Sequence, residues 1–363
     1  MKRRAFSRQL LLGSATVFTP HSIFSPPRDP LNILVLGGTN YVGPSIVNYA
    51  IKRGHHVYLF NRGQTNPTLF TDLPHLQGDR NLGSKGYAVL KNKYWHAIID
   101  TWPEKANLVE DSTSLLKSST DHYLYLSSGE VYLNNLNHLD ENSDIVSTAI
   151  PESTWTYREH KVACENLIRD VFPRNHTIIR SGLIKGWRDF NNDLAYWLVR
   201  IRRGEVLLGP GDGTDALQFI DVKDLSHFII HILEQKIMGT YNVAGPTMNT
   251  FTWFDLLSLA RKKINSEAKI IWNSSQFLAH NEVQPLSDMP MWSPESGGKG
   301  YCIMNQMKAW QSGLHLRPVT KTFRDVLSWF DYKYPPDFQF GEGGFISPGL
   351  STQREQSLID TIS

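Results

Sequence analysis

Short apolar runs alternate with amphipathic stretches along the chain from residue 31 to about residue 180. The apolar runs predict strands, and apolar positions spaced three and four residues apart predict helices. The predicted strands are 33–36, 56–60, 97–100, 123–126 and 177–179, and the predicted helices are 45–53, 106–118 and 156–171. Such alternation favours parallel strands joined by right-handed crossovers. We therefore predict an α/β fold with a doubly wound parallel sheet.

After Arg180 the regular pattern gives way to segments rich in glycine, tryptophan and aspartate. Two later segments, 218–225 and 239–245, are expected to return to the sheet domain, which makes the second lobe discontinuous. The predicted organisation is an export signal and linker at 1–30, a dinucleotide-binding domain at 31–180 with returns near 218–245, a smaller C-terminal substrate lobe at 181–330 and a C-terminal tail at 331–363. The tail is expected to be briefly helical at 354–359.

The charge balance argues for a small-molecule partner rather than nucleic acid. The chain has 37 Lys and Arg against 35 Asp and Glu, and no long basic run with interleaved aromatic residues follows the first residues. Cys164 and Cys302 lack metal-ligand spacing, so we expect neither a disulfide framework nor a metal site. Cys164 is expected to be a small core residue. Tryptophans 187, 197, 292 and 310 could stack on a sugar ring, although core packing is expected for most of them.

The N-terminus has the layout of an export signal. Arg3-Arg4-x-Phe6 precedes a short apolar run at 10–18 and several prolines, a pattern that resembles a twin-arginine signal. The run is too short to cross a bilayer, so we expect no membrane association of the mature protein. This pattern predicts a periplasmic or otherwise exported enzyme. The alternative is a basic, disordered tail on a cytoplasmic protein.

A glycine-rich turn follows the first predicted strand. It comprises Gly37, Gly38, Thr39, Asn40, Tyr41, Val42 and Gly43 and leads into a predicted helix. A strand, a tight turn and a helix N-terminus in this order are typical of a dinucleotide pyrophosphate site. Asn40 occupies the middle of three positions where glycine is usual, and we expect it to adopt a left-handed conformation.

The second predicted strand ends at Asn61 and Arg62, without a carboxylate to bind the adenosine ribose. A guanidinium at this position can pair with a 2′-phosphate, so the sequence favours NADP, with NAD as the alternative. Asp79, after the expected third strand, is a candidate contact for the adenine edge.

Tyr157 and Lys161 lie four residues apart on a predicted helix, and therefore share one helix face. A nearby ammonium can lower the pKa of a phenol, which suits Tyr157 to exchange a proton. About thirty residues earlier, a strand ends in Ser127-Ser128-Gly129-Glu130-Val131-Tyr132, a turn rich in hydroxyl groups.

Together these motifs resemble the extended short-chain dehydrogenase/reductase family, in its NAD-dependent epimerase/dehydratase branch. The resemblance covers roughly residues 31–330 and includes the segments 180–186 and 218–224. It implies a Rossmann-like sheet, Ser128 as the catalytic serine, Tyr157 as the general acid/base and Lys161 as the partner of the nicotinamide ribose. It also implies a possible homodimer formed through helices of the sheet domain.

One departure from the family pattern affects the reaction. Sugar dehydratases of this branch carry an Asp-Glu pair after the serine, whereas here Gly129 replaces the Asp and Glu130 remains. A dehydratase is therefore disfavoured, although Glu130 could still move a proton. Glu130 could equally be a surface carboxylate on a turn.

The predicted export favours redox-neutral chemistry, because free nicotinamide nucleotides are scarce outside the cytoplasm. We therefore predict a sugar or polyol epimerase that retains its cofactor, with a carbohydrate as substrate and tryptophans 187, 197 and 292 as stacking candidates. One alternative is an NADPH-dependent reductase of the isoflavone-reductase type. Another is a non-catalytic nucleotide- or RNA-binding relative, although such a protein would be expected to lose the Ser128, Tyr157 and Lys161 set.

Overall fold

The computed structural model describes residues 29–101, 105–133, 137–294 and 303–362. Strands in these ranges are β1 (Asn32–Leu36), β2 (His56–Asn61), β3 (His75–Gln77), β4 (Ala97–Asp100), β5 (Tyr123–Ser128), β6 (Asn137–Leu139), β7 (His176–Ser181), β8 (Leu183–Lys185), β9 (Val206–Leu208), β10 (Phe219–Asp221), β11 (Gly239–Val243), β12 (Lys269–Ile271) and β13 (Ile303–Met304). Helices are α1 (Val42–Lys52), α2 (Ala106–Leu116), α3 (Tyr157–Val171), α4 (Asp193–Arg203), α5 (Val222–Gln235), α6 (Trp253–Lys263), α7 (Ser275–His280), α8 (Met307–Gln311), α9 (Val319–Lys333) and α10 (Thr352–Asp360).

Seven of the described strands form one parallel sheet in the order β11-β7-β5-β4-β1-β2-β3. The α/β fold class and the five predicted strands are confirmed, and β5 continues to Ser128, two residues past its predicted end. The carboxyl ends of β1, β2, β4 and β5 lie along one edge of the sheet, because parallel strands share a direction.

Helices cover both faces of this sheet, which explains why its strands are apolar at nearly every position. Ile33 and Val35 point to the face where α1 and α5 pack. Leu34 and Leu36 point to the opposite face, against residues of α2 and α3. The doubly wound arrangement therefore follows from alternating side chains that are buried on both sides of one strand.

The two predicted return segments reach the sheet domain in different ways. Strand β11 pairs with β7 and extends the sheet, as expected. Strand β10 instead pairs with β8 in a separate two-stranded sheet, and only the following helix α5 packs on the main sheet. Ile220 of β10 also lies in the core shared with α1 and α5, so segment 218–225 returns to the sheet domain as predicted, without adding a strand to its sheet.

The smaller lobe has a core of its own, formed around α4, α6 and α9. Trp197 and Trp292 are fully buried in this core. Their indole nitrogens donate to Pro290 O and to Asp215 Oδ2, at 3.0 and 2.7 Å. Both are core residues, so the structure does not offer their ring faces to a ligand, and the stacking proposed for them is wrong.

The last described segment packs against this lobe. Glu355 on α10 is buried and accepts from the Arg200 guanidinium of α4 and from Leu208 N. Leu350 and Leu358 join the same core. A short helix is confirmed here, at 352–360 rather than 354–359.

Two expectations fall partly or wholly outside the described ranges. The export-signal pattern lies in residues 1–30, of which only the last two are described, and Cys302 is also outside. Cys164 is buried, as expected for a core residue. Among the described residues, no helix is long and apolar enough to cross a membrane.

Candidate functional site

The glycine turn between β1 and α1 depends on backbone angles that disfavour side chains. Gly37 and Gly38 have φ values of 112° and 92°, and Tyr41 has a φ of 43°. Asn40 is not among the residues with positive φ, so the expectation of a left-handed Asn40 is wrong. Gly38 and Tyr41 take the unusual angles instead, and Asn40 is an exposed residue of the turn.

Gly43 is fixed by packing rather than by its backbone angles. A Cβ at this position would lie 2.6 Å from the backbone of Gly38, so only glycine lets α1 start this close to the turn. Helix α1 has no acidic residue in its first turn. Its free N–H groups and positive dipole end are therefore unopposed, as a phosphate site requires.

The end of β2 closes one side of the turn. The side chain of Asn61 donates to Gly37 O at 2.9 Å and accepts from Gly63 N at 2.8 Å. Arg62 beside it is exposed, and no carboxylate pairs with it in the described ranges. Arg80, by contrast, is held by the buried Asp100 at 2.7 Å, and this carboxylate raises the pKa of Arg80 despite burial.

Asp79 lies next to this ion pair at the start of a short 3-10 turn. Its Oδ1 accepts from the backbone and side-chain nitrogens of Asn81, at 3.0 and 2.9 Å. The carboxylate thus caps the turn. Its proposed contact with adenine remains a prediction.

Helix α3 begins at Tyr157 because Thr156 and Glu159 form a capping box. Glu159 accepts from Thr156 N at 2.8 Å, and these hydrogen bonds lower the pKa of Glu159. Tyr157 is 39% exposed, whereas Lys161, one turn later, is buried. Lys161 Nζ donates to Leu126 O at 2.9 Å and lies 5.6 Å from the centroid of the Tyr157 ring. The predicted shared helix face is confirmed.

Ser128 is the last residue of β5 and is partly buried. Its Oγ accepts from Glu130 N at 3.2 Å, which leaves its own proton free to donate elsewhere. Glu130 is exposed on the following turn. Arg158, which sequence reasoning missed, ties this turn to α3 by donating from Nε to Glu130 O at 2.7 Å. Arg158 therefore fixes the position of Ser128 relative to Tyr157.

A second missed group is the buried carboxylate of Glu165 on α3. It accepts from Ser127 Oγ at 2.7 Å, from Arg180 at 2.8 and 3.1 Å, and from Arg169 at 2.8 Å. Burial alone would raise the pKa of Glu165, but Arg180 and Arg169 outweigh it and lower this pKa. The cluster joins α3, β5 and β7. The sequence feature that could have revealed this cluster is Arg180, a basic residue in an otherwise apolar strand.

A cavity of about 890 Å³ runs along the carboxyl edge of the sheet and brings most of the predicted residues together. The predicted residues in its wall are Gly37, Gly38, Thr39, Asn40, Tyr41, Val42, Asn61, Arg62, Asp79, Tyr157 and Lys161. Ser127 rather than Ser128 lines it, Glu130 does not, and Gly43 lies behind the turn. Residues that the sequence did not predict also line the cavity, among them Arg80, Lys105, Ser181, Ile184, Phe190, Asn191 and Phe345.

The model of the NAD dependent epimerase/dehydratase family matches residues 93–244, which include Ser128, Tyr157 and Lys161. Over this segment the chain is similar to that family. The resemblance drawn from the motifs is thereby confirmed. The match covers part of the sheet domain and part of the lobe, and its description names no single reaction.

Solved structures with the same fold include UDP-glucose 4-epimerase from Thermotoga maritima with UDP-glucose, at a TM-score of 0.60 and 15% identity, covering 83% of this chain and 99% of that one. UDP-glucuronic acid 4-epimerase from Bacillus cereus in complex with NAD matches with a TM-score of 0.59 and 15% identity, over 84% and 100% of the two chains. At these identities the likeness shows the fold alone.

A curated relative is the chloroplast stem-loop binding protein of 41 kDa b from Arabidopsis thaliana. It is 28% identical over 240 residues, which span 60% of each chain. The match thus covers less than two thirds of the relative's length. Its name describes a chloroplast protein that binds stem-loops, a role unlike that of the two epimerases.

Proposed function

We propose that this protein is an NAD(P)-dependent oxidoreductase of the epimerase type, acting on a sugar or polyol with no net oxidation. The observation that carries the proposal is the shared cavity: Tyr157 and Lys161 line the same wall as the glycine turn. A dinucleotide on that turn and a substrate carbinol beside Tyr157 could therefore meet in one enclosed space.

The glycine turn fits a dinucleotide, because Gly43 lets α1 approach Gly38 and no acidic residue opposes a phosphate at the helix start. The turn at 37–43 would hold the pyrophosphate, and Lys161 the nicotinamide ribose. Arg62 would take a 2′-phosphate, since Arg80 is already paired with Asp100. NADP is therefore the proposed cofactor and NAD the alternative. When bound, its nicotinamide ring would supply hydride acceptance and return.

Tyr157 is the proposed general acid/base, because its phenol is partly exposed in the cavity wall. It takes the proton of the substrate hydroxyl and later gives a proton back. Lys161 lies close to the ring of Tyr157, so its positive charge stabilises the phenolate form. Ser128 is proposed to donate to the same substrate oxygen. Ser128 does not line the cavity in this structure. This role therefore requires Ser128 to move into the cavity wall when the substrate binds.

The turn after Ser128 argues against a dehydratase. A Cβ at Gly129 would lie 2.9 Å from Met304 Sδ and 3.3 Å from Ser181 O. Met304 is held in place by two backbone hydrogen bonds with the Gln218 side chain, at 2.9 and 3.0 Å. The Asp that dehydratases place here would crowd the Met304 side chain and Ser181 O, which supports a reaction other than dehydration. Glu130 is exposed, which favours the surface role over proton transfer.

The redox-neutral part of the proposal rests on the export prediction for residues 1–30. A cofactor that is retained and regenerated in each turnover suits a compartment without free nicotinamide nucleotides. The chloroplast relative suggests a second possible destination, an organelle. Sequencing the N-terminus of the protein purified from its own cells would distinguish a cleaved export signal from an intact cytoplasmic chain.

The proposal is tested by mixing the purified full chain with a panel of aldoses and polyols, in one series with NADP⁺ and in a parallel series with NADPH. The expected result is a new stereoisomer of one sugar, with no net change in NADPH absorbance after turnover. Net consumption of NADPH, equimolar with a reduced product, would instead establish the reductase alternative. No isomer and no change of NADPH with any member of the panel would contradict both.

A second candidate function is RNA binding, and the stem-loop binding relative is the observation that favours it. RNA binding does not explain why Tyr157 and Lys161 line one cavity. The enzyme proposal is therefore preferred. An electrophoretic shift assay with a stem-loop RNA tests it. Binding that persists in Tyr157→Phe and depends steeply on salt would show a separate RNA surface.

A further inference from the structure

The cavity continues from Tyr41 of the glycine turn to residues of the smaller lobe, and we infer that this lobe side binds an uncharged ring with an apolar face. Phe345, from the last segment of the chain, is its specificity-determining contact. The inference rests on the proposed function, which assigns the sheet side of the same cavity to the dinucleotide. It excludes the diphosphate-linked sugars that two structural relatives are named for.

Three aromatic side chains form an edge-to-face series in the wall. The ring centroids of Tyr41 and Phe190 are 5.3 Å apart at 84°, and those of Phe190 and Phe345 are 6.3 Å apart at 90°. All three line the cavity together with Ile184. Phe190 and Phe345 remain 42% and 65% exposed, so they present free apolar area that a flat ligand face would cover.

Phe345 is held in place by backbone hydrogen bonds rather than by burial. Phe345 O accepts from Asn192 N at 2.9 Å, and the Asn192 side chain donates to Ile346 O at 2.6 Å. Within the same loop Gly343 N donates to Ser347 O at 2.8 Å. The loop is therefore fixed to the start of α4, and the Phe345 ring has a defined place in the wall.

The charges near this side of the cavity do not suit a diphosphate. Tyr41, Ile184, Phe190, Asn191 and Phe345 are all uncharged. The ammonium next in sequence to Ile184 is that of the buried Lys185, which is already shared by Asp189 at 3.2 Å and Asp193 at 2.8 Å.

Two carboxylates facing one ammonium leave a negative balance, which repels phosphate. Arg188 lies over the rings of Trp187 and Trp329, at 5.5 and 4.7 Å, and does not line the cavity. The unpaired guanidinium of Arg62 is on the opposite, sheet side. The cations in the described cavity wall are Arg62, Arg80, Lys105 and Lys161, which all belong to the sheet domain, so the residues that the lobe contributes to the wall carry no positive charge.

One polar atom in the wall lacks a partner. Asn191 Oδ1 is shielded from solvent and accepts no hydrogen bond from any described residue, although Asn191 lines the cavity. A buried acceptor without a donor is unfavourable. The oxygen is closed off from solvent, so a ligand hydroxyl would reach it only if the Asn191 side chain rotated towards the cavity.

The experiment measures binding of three probes to the full chain preloaded with NADP⁺, by saturation-transfer NMR and calorimetry. Methyl β-D-glucopyranoside is an uncharged sugar ring, flavanone is an uncharged aryl ring, and UDP-glucose carries the diphosphate. Each is repeated on Phe345→Ala and on the control Ile346→Ala, whose side chain is also exposed, at 58% against 65%, but does not line the cavity. Cofactor affinity is measured separately for all three proteins.

We expect one of the uncharged rings to bind better than UDP-glucose, and Phe345→Ala to weaken that binding about tenfold. Ile346→Ala and the cofactor affinity should not change. Binding of the glucopyranoside would indicate a sugar ligand, and binding of flavanone would indicate an aryl ligand. Preferred binding of UDP-glucose, binding of no probe, or equal effects of the two variants would overturn the inference. Ring binding without any cofactor binding would instead refute the proposed function and leave the lobe-side inference standing.

Discussion

The two sides of the cavity are built by different means. The sheet side is made of backbone: a glycine turn, a helix start and the carboxyl ends of adjacent strands, with Arg62, Arg80 and Lys105 supplying positive charge. The lobe side is made of uncharged side chains from the 184–191 loop and from the distant Phe345. The comparison separates a side built from local features of the fold from a side built from segments that are distant in the sequence.

The largest effect is expected from a substitution that displaces the backbone of the sheet side. Gly43→Ala places a Cβ 2.6 Å from Gly38, which forces α1 away from the turn and should abolish dinucleotide binding. Calorimetry with NADP⁺ checks this. Gly182→Ala is the matched control, because its Cβ would meet only Ala244 and Met304, at ordinary distances of 3.5 and 3.6 Å. Equal affinity in Gly43→Ala and wild type would contradict the assignment of the turn.

The next effect separates chemistry from binding. Tyr157→Phe removes the proton carrier but keeps the ring, so turnover should fall by about 10²–10⁴-fold with cofactor affinity and unfolding free energy unchanged. Isomer formation from the identified sugar is the measurement. Tyr332→Phe, at a position that is 80% exposed, should have no effect. Near-normal turnover in Tyr157→Phe would refute its role.

A substitution of Glu165 tests whether the sheet side and the lobe side of the cavity both depend on the buried ion-pair cluster around its carboxylate. Glu165→Gln leaves Arg180 without its charged partner and should lower the free energy of unfolding by about 3–5 kcal/mol. Denaturant unfolding checks this against Glu110→Gln, an exposed carboxylate of α2. An equal, small loss in both variants would show that the cluster is not a support.

The same carboxylate predicts a pH dependence. The pKa of Glu165 is lowered from its ordinary value of 4.5 by Arg180 and Arg169, against the opposing effect of burial. Its contribution to stability is therefore complete above pH 4.5 and is lost as the pH falls through the lowered folded value. In Glu165→Gln the acid-induced loss of stability should be shallower. An unchanged profile would show that other carboxylates dominate.

The smallest effect sharpens the sheet side by defining its cofactor. Arg62→Ala should weaken NADP⁺ binding about tenfold and leave NAD⁺ binding nearly unchanged, because only NADP⁺ carries the 2′-phosphate. Arg324→Ala, an exposed arginine on α9, is the control. Equal losses for both nucleotides would assign Arg62 a structural role, and tighter binding of NAD⁺ by the wild type would favour the alternative cofactor.

The sequence could predict the sheet side because short-range rules govern it. Strand periodicity, the glycine turn and the four-residue spacing of Tyr157 and Lys161 are local patterns, and the structure confirms each. The prediction of a left-handed Asn40 was wrong. Tyr41 has the positive φ angle instead, and the close approach of α1 to the turn depends on Gly43. Trp197 and Trp292 could not be judged locally, since only the lobe core determines whether an indole is buried.

The lobe side could not be predicted for a physical reason. Phe190 and Phe345 are separated by more than 150 positions in the sequence and meet only because Asn192 binds the backbone of the last segment. No local pattern records such a contact. Glu165 was missed for the same reason. Its role depends on α3, β5 and β7, which meet around its carboxylate.

The central claim is that the cavity holds a nicotinamide dinucleotide on its glycine turn. The most direct measurement is to purify the full chain without added nucleotide, denature it and identify the released cofactor by mass spectrometry, alongside Gly43→Ala. The account predicts NADP or NAD equimolar with the wild-type chain and none with the variant. Nothing released from the wild type, together with no saturable binding of added NAD⁺ or NADP⁺, would contradict it.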